Sequence, residues 1–135
     1  MRVRPVISLV VRRAERPWRF GQYVVGTGTP VVLSIIGVHH RHDVYADPYR
    51  FNPDRFLDAD GTFTKPGTYT WIPFGGGVRR CLGATLAMAE QRVALRQIAR
   101  RVDFKLTDAR GELARQRNVT SIPSHGGRVT ILNRS

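Results

Sequence analysis

The stretch Phe74-Gly75-Gly76-Gly77-Val78-Arg79-Arg80-Cys81-Leu82-Gly83 constrains this chain more than any other. Three consecutive glycines free the backbone for a tight turn and let amide N–H groups approach one point closely. The one strong helical pattern follows at once, over residues 83–101. The single cysteine, Cys81, therefore falls at the mouth of a helix, where the unpaired first-turn amides stabilise negative charge and favour a thiolate. Arg79 and Arg80 add positive potential beside it. A thiolate so held can be a nucleophile, a redox sensor or a metal ligand. A glycine-rich turn before a helix can also hold phosphate, yet the Lys-Ser/Thr that a P-loop needs at the helix start is absent. A lone cysteine without further context is most often a small buried hydrophobe.

The rest of the chain shows no repeat and no low-complexity linker. Residues 18–25 and 30–36 are β-branched and aromatic runs around Gly26-Thr27-Gly28, which predicts a hairpin closed by that turn. Residues 43–70 are dense in Asp, Pro, Gly and Thr and predict irregular chain, with at most a turn of helix near Val44–Ala46. So long an irregular stretch in a small domain is expected to be functional or to pack on something else. In residues 83–101, Ala84, Leu86, Ala87, Met88 and Ala89 make the first turns apolar nearly all round, as in a buried helix. Arg92, Arg96 and Arg100 then form one stripe at i, i+4, which reads first as a solvated face. Residues 118–133 predict a second short β pair around Gly126-Gly127.

Composition narrows the class. With 135 residues the chain is the size of one ordinary domain, and 41% apolar residues suit a globular core rather than a disordered tail. The longest apolar run, residues 30–38, is strand-sized and far short of the ~20 residues of a membrane span. Met1-Arg2-Val3-Arg4-Pro5 does not open a signal peptide. One cysteine excludes an internal disulfide framework and a multi-cysteine zinc site, and the expected compartment is the cytoplasm. Basic residues outnumber acidic ones 22 to 10, a net charge of +12. Residues 1–42 hold seven Arg against one Glu, and residues 79–135 hold eleven Arg and one Lys against four acids. Arg suits carboxylate, phosphate and propionate groups, although codon use in a GC-rich genome gives the same bias. A basic nucleic-acid-binding module is the generic alternative, but the arginines are not interleaved with aromatics in any recognisable motif. His39, His40 and His42 raise a metal site as a further, weaker reading.

The string Phe-Gly-Gly-Gly-x-Arg-x-Cys-Leu-Gly resembles the haem-ligand loop of the cytochrome P-450 family at every defined position. Upstream, Phe51-Asn52-Pro53-Asp54-Arg55-Phe56 is similar to that family's Phe-x-Pro-x-Arg-Phe segment and lies at the family's distance from the cysteine. Gly28-Thr29-Pro30-Val31, His40-Arg41, Asp47-Pro48 and the tail from Val119 through Pro123 to Gly127 also resemble it. The resemblance spans essentially residues 1–135 and places the three histidines in a surface loop after a strand.

This resemblance implies a haem-thiolate monooxygenase that inserts one oxygen atom of O2 into a small apolar organic substrate, with haem b (iron protoporphyrin IX) as cofactor. Cys81 matches the axial ligand of the haem iron. Phe74 matches the residue that packs near the sulfur, Gly75 and Gly77 those of the turn, and Gly83 the one that lets the helix pass close to the ring. Arg79 matches a propionate-binding arginine, as does Arg12, with Arg13 a neighbouring candidate. Arg2 and Arg55 match two members of a structural triad whose glutamate falls three residues before Arg2, ahead of Met1. No catalytic residue of the distal side is expected in this chain. Val6, Ile7, Leu9 and Val119 fall where the family lines its substrate pocket, and Arg80 and Arg92 where an acidic ferredoxin or flavodoxin docks.

A complete family member is several-fold longer. The expectation is therefore a partial domain, the C-terminal haem-binding portion, from a truncated gene, a mis-called start or a fragment. Its expected class is α+β, mainly α in the intact family, and here short β hairpins, an irregular loop region and one long helix. Alone, the chain is expected to fold poorly and to hold haem weakly or not at all. An inactive remnant without haem is the other reading of such a piece.

Overall fold

A computed structural model describes residues 1–107 and 111–134. They divide into two compact units, Met1–Gly75 and Gly76–Ser135.

In the first unit, β1 (Leu9–Arg13) is a run of branched residues and arginines that pairs antiparallel with β4 (Pro30–Ser34), from Leu9 opposite Ser34 to Arg13 opposite Pro30. This overturns the predicted hairpin. The run 18–25 folds on itself, as β2 (Trp18–Phe20) and β3 (Tyr23–Val25), with Phe20 opposite Tyr23. Gly21, at φ 58°, supplies the left-handed residue that a two-residue turn requires. The turn Gly26-Thr27-Gly28 instead delivers β4 to β1, through Gly28 N–H to the Ala14 carbonyl at 2.7 Å and Ala14 N–H to that of Thr29 at 3.0 Å.

Strand β4 also ends earlier than predicted. Ser34 caps a short helix, α1 (Ile35–His39), its Oγ accepting from Gly37 N–H at 3.0 Å. The Ile35 and Ile36 amides both donate to the Ser8 carbonyl, at 2.9 and 3.2 Å, which ties α1 to the strand before it.

Residues 43–70 are mostly irregular, as their composition predicts. Their ordered pieces are a 3-10 helix, Pro53–Phe56, with Asn52 as cap, and a single bridge between Leu57 and Phe63. The predicted helical turn near Val44–Ala46 is a turn at residues 42–44. The stretch is organised around the centre of the unit, where Ile35, Tyr45 and Ile72 are buried with Pro5 and Pro48. Tyr45 keeps its hydroxyl satisfied there by donating to the Thr70 carbonyl at 2.7 Å.

In the second unit, α2 (Ala84–Arg101) matches the predicted helix within one residue. Arg100 and Arg101 stand in its last turn, where they complement the helix dipole. The expected burial of its first turns is not found. Ala84 is its only buried residue, while Leu86 and Leu95 are 64% and 66% exposed. An apolar helix face is buried only where another layer covers it. Within this unit the helix meets chiefly β5 (Val102–Leu106).

The predicted pair around Gly126-Gly127 is also replaced. β6 (Ala114–Arg117) pairs with β7 (Thr120–Pro123) across Asn118, at φ 53°, and β5 pairs with β8 (Val129–Arg134), with a register shift at Asp103–Phe104. Both flanks of the two glycines thus pair elsewhere. Across the described residues the strands form four two-stranded antiparallel sheets.

Candidate functional site

The chain enters the cysteine loop through a local turn in which Gly75 N–H donates to the Ile72 carbonyl at 2.9 Å. Gly75 and Gly77 have φ of 71° and 62°, conformations that a side chain disfavours by ~1–2 kcal/mol. Gly77–Arg79 form a 3-10 turn, closed by Arg80 N–H to the Gly77 carbonyl at 3.1 Å. Cys81 follows as a free, exposed thiol. Gly83 caps α2, and the helix starts with no side-chain cap and no acidic residue in its first turn. Of its opening amides, that of Ala84 donates weakly to the Cys81 carbonyl at 3.4 Å. Among the described residues a Cβ built on Gly83 meets only the Cys81 Sγ, at 3.9 Å. Phe74 is half-buried, and Arg79 is exposed.

The second group of predicted residues comes together in the first unit. Arg2 is 5% exposed; its Nη1 donates to the His39 carbonyl at 2.7 Å and its Nη2 to that of Arg50 at 3.2 Å. Arg55 donates to the carbonyls of Ala46 at 2.5 Å, Asp47 at 3.0 Å and, more weakly, Arg50 at 3.4 Å. The two guanidinium groups thus share the Arg50 carbonyl, and both lie against the Tyr45 ring, at 4.7 and 5.9 Å. Burial, and the charge of Arg55 beside it, lower the pKa of Arg2. Arg55 Nε is buried without an acceptor among the described residues. Arg12, by contrast, is exposed on β1 and among the described residues donates only to the adjacent Val11 carbonyl at 2.8 Å.

Two further groups were not foreseen. His39, expected in a surface loop, is fully buried at the end of α1. Its Nε2 accepts from Ile72 N–H at 2.8 Å, and its Nδ1 donates to the Arg2 carbonyl at 3.2 Å. Three neighbouring histidines carry no periodic signal that tells which one faces inward. His40 instead stacks on Tyr49 at 4.7 Å, and His42 lies 5.8 Å from the same ring. Among the described residues no cluster of three or more His, Cys, Asp or Glu gathers to hold a metal ion. Glu112 accepts from His125 N–H at 2.5 Å and Arg128 N–H at 2.8 Å, closing the turn at Gly126-Gly127. Desolvation raises its pKa, but the amides of His125, Arg128 and Gly127 outweigh that and lower it. No helix among the described residues is long and apolar enough to cross a membrane.

A single soft sulfur ligand, with no cluster of further protein ligands among the described residues, suits a metal that brings its other ligands with it, as haem iron does. The donor set and the open side of Gly83 fit that group. The fold matches part of a cytochrome P450: a solved structure described as "Retinoic acid bound cyanobacterial CYP120A1" matches 98% of this chain, and 30% of its own, with a TM-score of 0.84 and 26% identity. The family model for cytochrome P450 matches residues 1–130, and the chain belongs to that family. Among curated relatives, it is 40% identical over 129 residues to "Putative cytochrome P450 137" of Mycobacterium tuberculosis, covering 96% of this chain and 26% of that one. It is 42% identical over 131 residues to "Putative cytochrome P450 135B1" of Mycobacterium bovis, covering 97% of this chain and 27% of that one. The chain therefore spans under a third of the length of the relatives it matches.

Proposed function

We propose that this chain is the thiolate-bearing portion of a haem monooxygenase that inserts one oxygen atom of O2 into an apolar organic substrate. The observation that carries this reading is Cys81 itself. In a member of the cytochrome P450 family, it is an exposed thiol at the uncapped mouth of α2, entered through two left-handed glycines.

In this reading Cys81 would hold the iron of haem b, a cofactor that supplies oxygen-activating chemistry when bound. Gly75 and Gly77 would hold the turn that leads to the sulfur, and Phe74 would pack near it and tune it. Gly83 leaves room for the ring. Arg79, exposed and without an ion-pair partner among the described residues, takes one propionate. Arg12 takes another, an assignment supported by its exposed guanidinium alone. Arg2 and Arg55 belong to a structural triad completed by a carboxylate, in keeping with the orphaned Arg55 Nε. Both units are then parts of one larger haem-binding domain.

The partners follow from charge and apolarity. Val6, Leu9 and Val119 are exposed at 48%, 54% and 72%, which suits an apolar substrate. Arg80 and Arg92 are exposed and suit an acidic electron donor such as a ferredoxin or flavodoxin.

Taken alone, the 135-residue chain leaves α2 open to solvent along most of its length. It therefore holds less than one haem per chain by pyridine haemochrome assay. A stoichiometric low-spin complex overturns that expectation. In haem-loaded protein the carbon monoxide complex shows the red-shifted Soret band of thiolate ligation, and Cys81→Ala abolishes it. A red-shifted band that survives the substitution refutes Cys81 as the ligand.

A further inference from the structure

We propose that His39 is a positioning residue for the cysteine loop, clamping the approach at Ile72 to the backbone of Arg2. The inference rests on the reading of Cys81 as the haem ligand, and it extends that reading to a residue outside the loop.

The geometry is a relay of hydrogen bonds. The Gly75 amide, on the first left-handed residue of the loop, donates to the Ile72 carbonyl at 2.9 Å. The Ile72 amide donates to His39 Nε2 at 2.8 Å, and His39 Nδ1 donates to the Arg2 carbonyl at 3.2 Å. The Arg2 guanidinium closes the relay by donating to the His39 carbonyl at 2.7 Å. One imidazole thus joins three segments far apart in sequence, and both of its ring nitrogens are used.

Only one form of the ring satisfies this arrangement. Nε2 must be bare to accept from Ile72, so the proton sits on Nδ1. Ile72 is itself buried, so its amide has no water to turn to if that acceptor is removed. Burial, and the charges of Arg2 and His40 beside the ring, also disfavour the imidazolium. The clamp places the backbone that leads into Gly75, and through the covalent chain it sets where the loop to Cys81 begins.

The test separates the acceptor from the mere filling of space. In His39→Gln the side-chain amide oxygen reaches the position of Nε2 and keeps the acceptor for Ile72. In His39→Phe the ring volume is kept and both hydrogen bonds are lost. Amide hydrogen exchange is read by NMR on the full chain without haem. The exchange of Ile72 and Gly75 is expected to speed up roughly tenfold to a hundredfold in His39→Phe and to stay within about threefold of the parent in His39→Gln. The Gly75 amide resonance is expected to move in His39→Phe only. Equal exchange in the two variants, or protection kept in His39→Phe and lost in His39→Gln, overturns the proposal. Because no haem is present, this result is independent of whether Cys81 ligates iron.

Discussion

Lowering the pH from neutrality toward 4 is expected to destabilise the first unit through His39 alone by an amount the structure sets. Burial, reinforced by the charges of Arg2 and His40, lowers the pKa of this histidine from 6.5 to about 4, against the opposing pull of its bond to the Arg2 backbone. Between these two values the unfolded chain binds a proton that the folded chain refuses. Stability therefore rises with pH across that window, is complete above about 6.5, and is lost as pH falls toward about 4. At about 1.4 kcal/mol per pH unit, the loss is about 3 kcal/mol, a large share of the stability of a small unit.

The assay is urea unfolding at a series of pH values, followed by the fluorescence of the half-buried Trp71 in a Trp18→Phe background. His39→Gln keeps the acceptor and removes the titration, so the difference between parent and variant isolates this one group from His40 and the carboxylates. The difference should grow as pH rises from about 4 to about 6.5 and then level off. A difference that is flat across the window, or a histidine titrating near its ordinary value in the folded chain, refutes the reasoning.

Gly37→Ala should lower the stability of the same unit by about 1 kcal/mol, because the new Cβ falls 2.8 Å from Ser34 Oγ and displaces the cap of α1. Combined with Ser34→Ala it should cost little more, and thermal melts showing full additivity would contradict the shared mechanism. Charge reversal at Arg80 and Arg92 in haem-loaded protein should slow reduction by an acidic electron donor and flatten its salt dependence. Unchanged stopped-flow rates across a salt series would exclude that docking face.

The legible parts of this protein were those whose signal is contained in a few adjacent residues. The loop from Phe74 to Gly83 is one, since glycine conformation and helix start are local properties, and Gly75 and Gly77 take left-handed angles that glycine allows. The length of α2 is another, because its helical periodicity runs unbroken to Arg101. Strand partners were not legible. The strong turn at Gly26-Thr27-Gly28 invites its two flanks to pair, yet Gly21 gives the first flank a shorter closure and frees β4 for β1. The same happens at Gly126-Gly127, where the turn is held by Glu112 while the strands on either side pair with β6 and β5.

Sequence alone thus determined the family resemblance, the identity of Cys81 as the singular chemical group, and the helix behind it, because each rests on local spacing and residue chemistry. Tertiary structure decided which histidine is buried and that the two arginines share the Arg50 carbonyl. It also decided which strands meet and that the apolar turns of α2 lie open. Those outcomes depend on which distant backbone groups and surfaces come into contact, and the energy of such a contact is not a property of either segment by itself.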